Sequence, residues 1–396
     1  MKRTIIGGSP NKYRICLLFL LFSMTLMLSG CWNNIELNKV RRAAAIGIDL
    51  DEKGRYLVTA RVTLPSQQGG GGAKGGGGQK SESSVVQGVG YTIFDAVRNI
   101  IGDSGFKLYY HHLFYIALGH GLAERDIIGS LDFFMRDHES RLRTWVLIAD
   151  GSAESVIKAP GITHPLPAVE IDEGMKSYKT VGKYPAVQLI DLMRMMSRQD
   201  KAGYLPRIRV LANEKQKFVN VFASAMIKGG KVVGDLDARE TRGVLWVKNK
   251  IASTIVVVPL DKQDQYAAIE TLKSKTKIQP SYEDKQLRIK ITVKTIGNIG
   301  EFKSPYPVTI QTYKTLEEKQ NDSIKQEIQA AIKKAQMKKA DIFGFEEYVQ
   351  RSYPKHWKEW KKNWPDMFAN MPVTVQSESR LLQNGLNYEQ LRFQGE

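Results

Sequence analysis

Apolar and polar residues follow two periods along this chain of 396 residues. Residues 55–64 place apolar side chains at every second position, which is the period of a β-strand with one buried face. Residues 44–49 form a neighbouring strand-like segment, and the polar residues 51–54 between them suit a tight turn. The pattern predicts a β-hairpin close to the start of the folded part of the chain.

The remainder of the N-terminal half mixes helix and strand patterns. Apolar residues spaced by three and four positions predict helices over residues 92–101 and 124–137. Short apolar segments predict strands over residues 113–118 and 144–149. This half therefore mixes strands and helices, without an internal repeat.

The C-terminal half has a run of strands followed by a cluster of helices. The predicted strands cover residues 218–227, 231–234, 253–260, 287–295 and 373–382. Strict alternation at residues 287–295 indicates one buried and one wet face. The predicted helices cover residues 316–339 and 341–351, and a third carries Trp357, Trp360 and Trp364. This order predicts an α+β fold of several domains, whose C-terminal domain combines an antiparallel or mixed sheet with long helices.

Composition predicts three parts of the chain. They are a leader at residues 1–30, an N-terminal domain at residues 31–200 and a C-terminal domain at residues 201–396, which holds a candidate small β subdomain at residues 218–250. Residues 67–84 contain two runs of four glycines. They lack the Gly-Lys-Ser/Thr ending of a phosphate-binding loop and a helix start, so they predict a flexible surface loop.

The leader has the layout of a bacterial lipoprotein signal. Four basic residues precede an apolar run at residues 15–28, which is too short for a membrane span of about 20 residues. Ser29 and Gly30 then lead directly into Cys31. This pattern predicts cleavage between Gly30 and Cys31, a diacylglycerol on the Cys31 thiol and an acylated Cys31 amine. We therefore expect the protein to work outside the cytoplasm, tied to a membrane by lipid.

Cysteine content and charge then exclude several classes of site and partner. The second cysteine, Cys16, lies in the leader, so the mature chain should lack a free thiol, which excludes disulfides, cysteine-ligated metals and cysteine nucleophiles. The net charge is +17. An exported lipoprotein rarely meets nucleic acid, so we predict no nucleic-acid partner. The charge instead suits a surface close to anionic lipid headgroups or simply keeps the protein soluble.

Few residues are candidates for a metal site or a catalytic site. His111, His112 and His120 form one histidine cluster, but neighbours on a strand point to opposite faces, so we predict structural histidines and no metal site. Asp132, Asp137 and Glu139 stand beside Arg136, Arg141 and Arg143, which favours ion pairs over an acid/base pair. Without a Gly-x-Ser-x-Gly nucleophile motif, we predict no catalytic residues and no cofactor.

The three tryptophans at positions 357, 360 and 364 occupy one helical stripe beside several lysines. Such a stripe is typical of a helix packed on a sheet and also of a membrane-interface helix. We favour the core interpretation, in which the lysines form the solvated face of the helix.

Several segments, taken in order, resemble one family. They are residues 30–32, 36–38, 46–49, 111–112 and 131–137 in the N-terminal half, and residues 241–246, 341–345 and 353–357 in the C-terminal half. Their order and spacing are similar to those of the Ger(x)C family, the lipoprotein C subunits of bacterial spore germinant receptors. The glycine-rich insertion at residues 69–78 departs from the family pattern.

The resemblance implies a non-enzymatic subunit on the outer face of the spore inner membrane, anchored through Cys31. It implies assembly with a partly soluble A subunit and a polytopic B subunit, on which nutrient germinants act to start germination. A lipid-anchored solute-binding protein that captures the germinant itself is the alternative. Such proteins usually have two lobes of alternating strands and helices, whereas strand runs precede a helical cluster here.

Overall fold

The computed structural model describes residues 14, 15, 17–20, 23, 40–63, 83–214, 216–260, 265–304 and 308–382. The chain divides into two compact units, residues 1–40 and residues 41–396. In the first unit, the described residues between positions 14 and 23 are helical and exposed. No helix among the described residues combines the length and apolar character needed to cross a bilayer.

A nine-stranded mixed sheet, sheet A, is the larger of two sheets in the second unit. Its strands are β1 (Val40–Leu50), β2 (Tyr56–Thr63), β3 (Ser83–Gly90), β4 (Lys107–Tyr109), β5 (Tyr115–Leu118), β6 (Trp145–Ala149), β7 (Ala202–Ala212), β8 (Lys217–Lys228) and β9 (Lys231–Leu236). They lie in the order β3-β2-β1-β5-β6-β7-β8-β9, and β4 pairs with β1. The predicted hairpin is confirmed as the antiparallel pair β1–β2.

The centre of sheet A is parallel and buried on both faces. β1, β5, β6 and β7 pair in parallel, as helical crossovers require. Helices α1 (Ile93–Ser104), α2 (His120–Ala123), α3 (Ile127–Arg136), α4 (Ala153–Lys158), α5 (Pro167–Lys176), α6 (Tyr178–Val181) and α7 (Leu189–Met196) accompany these strands. Two apolar clusters, which lie on opposite faces of the sheet, enclose the central strands.

Burial of both faces changes the prediction for β2. Its alternating pattern indicated one wet face, yet Thr59 is fully buried and Arg61 is 8% exposed. The reason is that α4 covers the face that carries Arg61. The Arg61 guanidinium donates hydrogen bonds to the carbonyl oxygens of Ile157 (2.9 Å from Nε) and Ala159 (3.0 Å), so the buried charge is solvated by helix-end carbonyls.

A four-stranded sheet, sheet B, forms the C-terminal part. Its strands lie in the order β10 (Thr254–Pro259), β11 (Tyr266–Glu283), β12 (Gln286–Lys303) and β13 (Val373–Leu381). β10, β11 and β12 are antiparallel, and β13 pairs with β12 in parallel. The predicted strand at residues 287–295 is thus the N-terminal half of the 18-residue strand β12. β12 pairs along its length with β11, a second strand of 18 residues that the pattern did not predict.

Helices cover one face of sheet B. They are α8 (Ala238–Val247), α9 (Ile310–Met337), α10 (Phe345–Ser352), α11 (Pro354–Trp360) and α12 (Trp364–Asn370), with a 3₁₀ turn at Lys361–Asn363. The predicted continuous tryptophan helix is therefore wrong in detail, since α11 and α12 each begin with a proline in the first turn. The α+β fold is confirmed.

Sheet A continues across the predicted domain boundary near residue 200. β7, β8 and β9 extend it from the parallel centre to its antiparallel edge. A single apolar core also connects the helix-covered face of sheet B with sheet A. The division into domains at residues 31–200 and 201–396 stays a prediction, as does the small β subdomain at residues 218–250.

Candidate functional site

The predicted lipid attachment and cleavage residues, Cys31 and Gly30, lie outside the described residues. Most of the predicted glycine-rich loop at residues 67–84 does so too. The prediction of a lipid anchor therefore rests on the sequence pattern.

The histidine pair occupies a turn. The expectation from the sequence was a strand at this position. Leu113 N–H donates to the Tyr110 carbonyl oxygen (3.0 Å) and closes this turn, so the rings of His111 and His112 lie at 69° to each other with centroids 6.4 Å apart. His120 begins α2, where its Nε2 lies 3.4 Å from Glu124 Oε1. In the part of the chain that the structure describes, no group of three or more His, Cys, Asp or Glu side chains could hold a metal ion.

The acidic and arginine side chains near α3 form fewer pairs than predicted. Arg136 Nε lies 2.7 Å from Asp132 Oδ2, one helical turn away, which confirms this pair. Glu139 binds Lys107 Nζ (2.6 Å) and not an arginine. Asp137 instead accepts a hydrogen bond from the Glu139 backbone N–H (2.7 Å) and stabilises the turn after α3.

The tryptophan stripe belongs mainly to the core. Trp364 is fully buried and Trp357 is 7% exposed, with ring centroids 5.2 Å apart in an edge-to-face contact. This confirms the core interpretation for both. Trp360 is half-buried and stacks on His356 (4.9 Å) beside Tyr282 at the tip of the β11–β12 hairpin.

Three buried carboxylates form the most unusual polar group in the structure. This carboxylate cluster consists of Asp200, Asp341 and Glu346, which are 5%, 1% and 3% exposed. Asp341 N–H donates to Asp200 Oδ2 (2.6 Å), while the backbone N–H groups of Gln199 and Asp200 donate to Glu346 (3.0 Å each). The cluster thus connects the segment before β7 with the segment before α10, about 140 residues away in sequence.

Asp341 organises the C-terminal side of the cluster. Its carboxylate accepts hydrogen bonds from Phe345 N–H (3.0 Å), Glu346 N–H (2.9 Å) and Trp364 Nε1 (3.1 Å). The two backbone N–H groups are orphan donors at the start of α10, and the predicted helix therefore begins at Phe345 instead of Asp341. Gly344 has φ +68°, a conformation that favours glycine, and an added Cβ would lie 2.9 Å from Arg198 Cζ.

Burial dominates the electrostatics of the cluster. It raises the pKa of Asp200 and of Asp341, although Lys228 Nζ at 3.1 Å from Asp200 Oδ1 opposes the shift. Burial and the neighbouring Asp341 raise the pKa of Glu346 to about 7. The carboxyl group of Glu346 is therefore half-protonated near neutral pH.

Burial also acts on the neighbouring cation. It lowers the pKa of Lys248 to about 8, while Lys248 Nζ donates to the Phe343 carbonyl oxygen (2.9 Å). Two groups with raised or lowered pKa values near neutrality therefore lie at the junction between the two sheets.

A second polar group connects α8 with α9. Glu327 is 1% exposed and binds the guanidinium of Arg242, and its Oε2 also accepts from Trp246 Nε1 (3.0 Å). Gly243 allows the helices to approach, since an added Cβ would lie 2.2 Å from the Glu327 carbonyl oxygen. Arg242 and Glu327 also line a cleft of about 960 Å³ between these helices and β10, together with Lys183, Arg239, Ile255 and Val257.

Sequence reasoning partly located these groups. The segments 241–246 and 341–345 carried the family resemblance, but neither Asp341 nor Arg242 was predicted as a site residue. The sequence signal that could have indicated a buried carboxylate is an acidic residue among apolar and aromatic residues, as in Asp341-Ile342-Phe343-Gly344-Phe345. Such a side chain must be paired when it is buried.

Two family models match the chain. A model described as "Spore germination protein N-terminal domain" matches residues 33–210, and one described as "Spore germination B3/ GerAC like, C-terminal" matches residues 223–385. Together they span most of the chain. The chain belongs to the Ger(x)C family of spore germination proteins.

Individual family members are distant in sequence but similar in length. Spore germination protein KC of Bacillus subtilis (strain 168) is 24% identical, over 96% of this chain and 98% of that protein. Spore germination protein B3 of the same organism is 29% identical, over 88% and 92%. The crystal structure of the GerBC protein matches with a TM-score of 0.56 at 21% identity, over 89% of this chain and 100% of that chain, which shows a shared fold.

Proposed function

We propose that this Ger(x)C family protein is the lipid-anchored C subunit of a nutrient germinant receptor in the spore inner membrane. In this proposal it has no enzymatic role and acts as a scaffold that stabilises or tunes the A and B subunits. The observation that carries the proposal is the match of both halves of the chain, in order, to spore germination domains. The names of the relatives KC, B3 and A3 support a role in germination.

The lipid anchor is supported by the sequence around Cys31. Because the mature chain would start at this residue, both the thiol and the new amine are available for acylation. The outer face of the spore inner membrane is the proposed location. Between Cys31 and β1 lie eight residues, which allow the folded unit to sit within about 30 Å of the acyl chains.

The anchor can be tested with the two cysteines of the chain. We expect Cys31→Ala to abolish palmitate labelling and leave the leader uncleaved, whereas Cys16→Ala keeps both labelling and cleavage. Mass spectrometry of the N-terminal peptide measures both. Palmitate on the Cys31→Ala variant, or a wild-type N-terminus other than residue 31, would disprove the anchor.

The receptor role requires a separate experiment. A tagged chain, purified by affinity from detergent-solubilised spore inner membrane, should bring the A and B subunits with it. A deletion strain should also lose response to one group of nutrients. A receptor that assembles and responds fully without this chain would overturn the scaffold proposal and favour direct solute capture, to be measured by calorimetry.

A further inference from the structure

The exposed side of sheet B carries a block of basic side chains. Its central rows, from Lys273 to Ser281 on β11, have alternate side chains on the face opposite the helices. Seven basic residues of this face are exposed: Lys273, Lys275, Lys277, Arg288, Lys290, Lys294 and Arg380. Glu378 is the acidic residue of these rows, so this basic face has a net charge of about +6.

The strand register brings like charges together. Lys275 lies directly opposite Lys294 in the antiparallel pair β11–β12, where Cβ atoms are about 5 Å apart. Lys294 binds Glu378 on β13 (2.6 Å), and none of the other six has an ion-pair partner among the described residues. Like charges directly opposite each other destabilise a sheet. The folded chain alone thus leaves a positive potential that an anionic partner would relieve.

The composition of the basic face distinguishes between partners. Protein interfaces are enriched in aromatic residues and arginine and depleted in lysine at their centres. Single-stranded nucleic acids are bound by aromatic side chains on which bases stack. The central rows contain no aromatic residue and five lysines, whose mobile ammonium groups suit a diffuse layer of negative charge.

We propose that the basic face of sheet B docks on the anionic phospholipid headgroups of the membrane to which the chain is anchored. This proposal rests on the lipid anchor at Cys31 proposed above. Acyl chains hold the protein at the bilayer, and the basic face determines which side of the folded unit is turned to it. Each lysine near an anionic surface strengthens such an interaction about fivefold, and added salt weakens it.

Lysine footprinting of the anchored, full-length protein tests the proposal. The protein is reconstituted into vesicles of phosphatidylcholine alone or with one-third phosphatidylglycerol, and exposed lysines are acetylated and counted by mass spectrometry. We expect Lys273, Lys275, Lys277 and Lys290 to be labelled at least threefold more slowly in the anionic vesicles. Lys355, Lys358 and Lys361, which are also exposed and lie on the C-terminal helical segment, serve as controls and should not change.

A set of variants separates docking from general charge. The triple variant Lys275→Gln, Lys277→Gln, Lys290→Gln should weaken the docking equilibrium about 100-fold, so that Lys273 is labelled at the same rate in both vesicles. The matched variant Lys355→Gln, Lys358→Gln, Lys361→Gln should keep the protection. Protection should also disappear in 1 M salt.

Each other outcome overturns the proposal in a distinct way. Flotation of the vesicles on a density gradient shows whether the protein is bound to them. Equal labelling of the basic face in both kinds of vesicle, with the protein bound to both, would show an anchored chain that does not dock through sheet B. Protection only in native membranes would assign the face to a protein partner. Failure of the wild-type chain to float with vesicles would contradict the anchor, and with it the proposed location.

Discussion

Sheets A and B differ in how many of their faces are covered by helices. The central strands of sheet A have helices on both faces, so consecutive residues are buried whichever face they point to, as in β1 and β5. In sheet B, β10 and β12 alternate between buried and exposed side chains along most of their length. Helix coverage on both faces makes sheet A a structural core, and the uncovered face of sheet B is free to carry charge.

The largest expected effect tests the core character of sheet A. Ile116 in β5 is fully buried, and Ile116→Ala should destabilise the protein by about 3 kcal/mol through lost transfer energy and a cavity. Ile255→Ala in β10 of sheet B, where the side chain is 58% exposed, should change stability by less than about 0.5 kcal/mol. Urea denaturation of both variants measures the difference. Equal losses would contradict the contrast between the sheets.

The polar contact between α8 and α9 tests how strongly the helices on the covered face of sheet B contribute to stability. Glu327→Ala removes the carboxylate that accepts from Arg242 Nε and Trp246 Nε1 and should cost about 3 kcal/mol. Glu318→Ala, at an exposed position of the same helix, is the control and should be nearly neutral. Thermal unfolding of the two variants provides the measurement, and a mild effect of Glu327→Ala would place the helix contact outside the stabilising core.

The carboxylate cluster makes the junction of the two sheets dependent on pH. Because the folded-state pKa of Glu346 is about 7 and exceeds the ordinary glutamate value of 4.5, the folded state holds a proton more tightly than the unfolded state. Its contribution to the free energy of unfolding, roughly 3 kcal/mol, is present in full below about pH 4.5 and is lost as the pH rises through about 7. The raised pKa values of Asp200 and Asp341 act with the same sign.

Removal of the titrating group should flatten this dependence. In Glu346→Gln, unfolding free energies measured by urea between pH 5 and pH 8 should fall less steeply than in the wild type. Glu347→Gln, at the exposed neighbour that pairs with Arg198, serves as the control and should keep the wild-type slope. Parallel slopes for wild type and Glu346→Gln would show that Glu346 does not titrate in this range.

The smallest effect concerns the uncovered face of sheet B. Lys275→Glu replaces a like-charge pair with Lys294 by an attractive one and should stabilise the isolated protein by about 0.5 kcal/mol at low salt. Lys358→Glu on α11 should have no comparable effect. The gain should shrink in high salt, as a surface charge effect must. Destabilisation by Lys275→Glu would mean that the lysine has a favourable partner in the folded chain.

The comparison also shows where sequence patterns succeed. They predicted the β1–β2 hairpin, because a tight polar turn separates two strand-like segments, although both faces of β2 are buried. They predicted the strand at residues 287–295 because its strict alternation matches one buried and one wet face. They missed β7 and β11, in which lysines, arginines and other polar residues interrupt the apolar pattern. Arg61 illustrates the reason: its charge indicates a solvent face, yet α4 supplies carbonyl partners that only the tertiary fold brings near.

The sequence by itself determined the family and the α+β class and predicted the helices α1, α3, α9 and α10, because these depend on residue order and local periodicity. The lipid attachment at Cys31 stays a prediction from the sequence. Only the tertiary structure decided that Asp200 meets Asp341, that Glu327 is buried under α8, and that the lysines of β11 and β12 share one face. These relations join residues that are distant along the chain. They follow from strand register and helix packing, which minimise the free energy of the whole unit and not of any one segment.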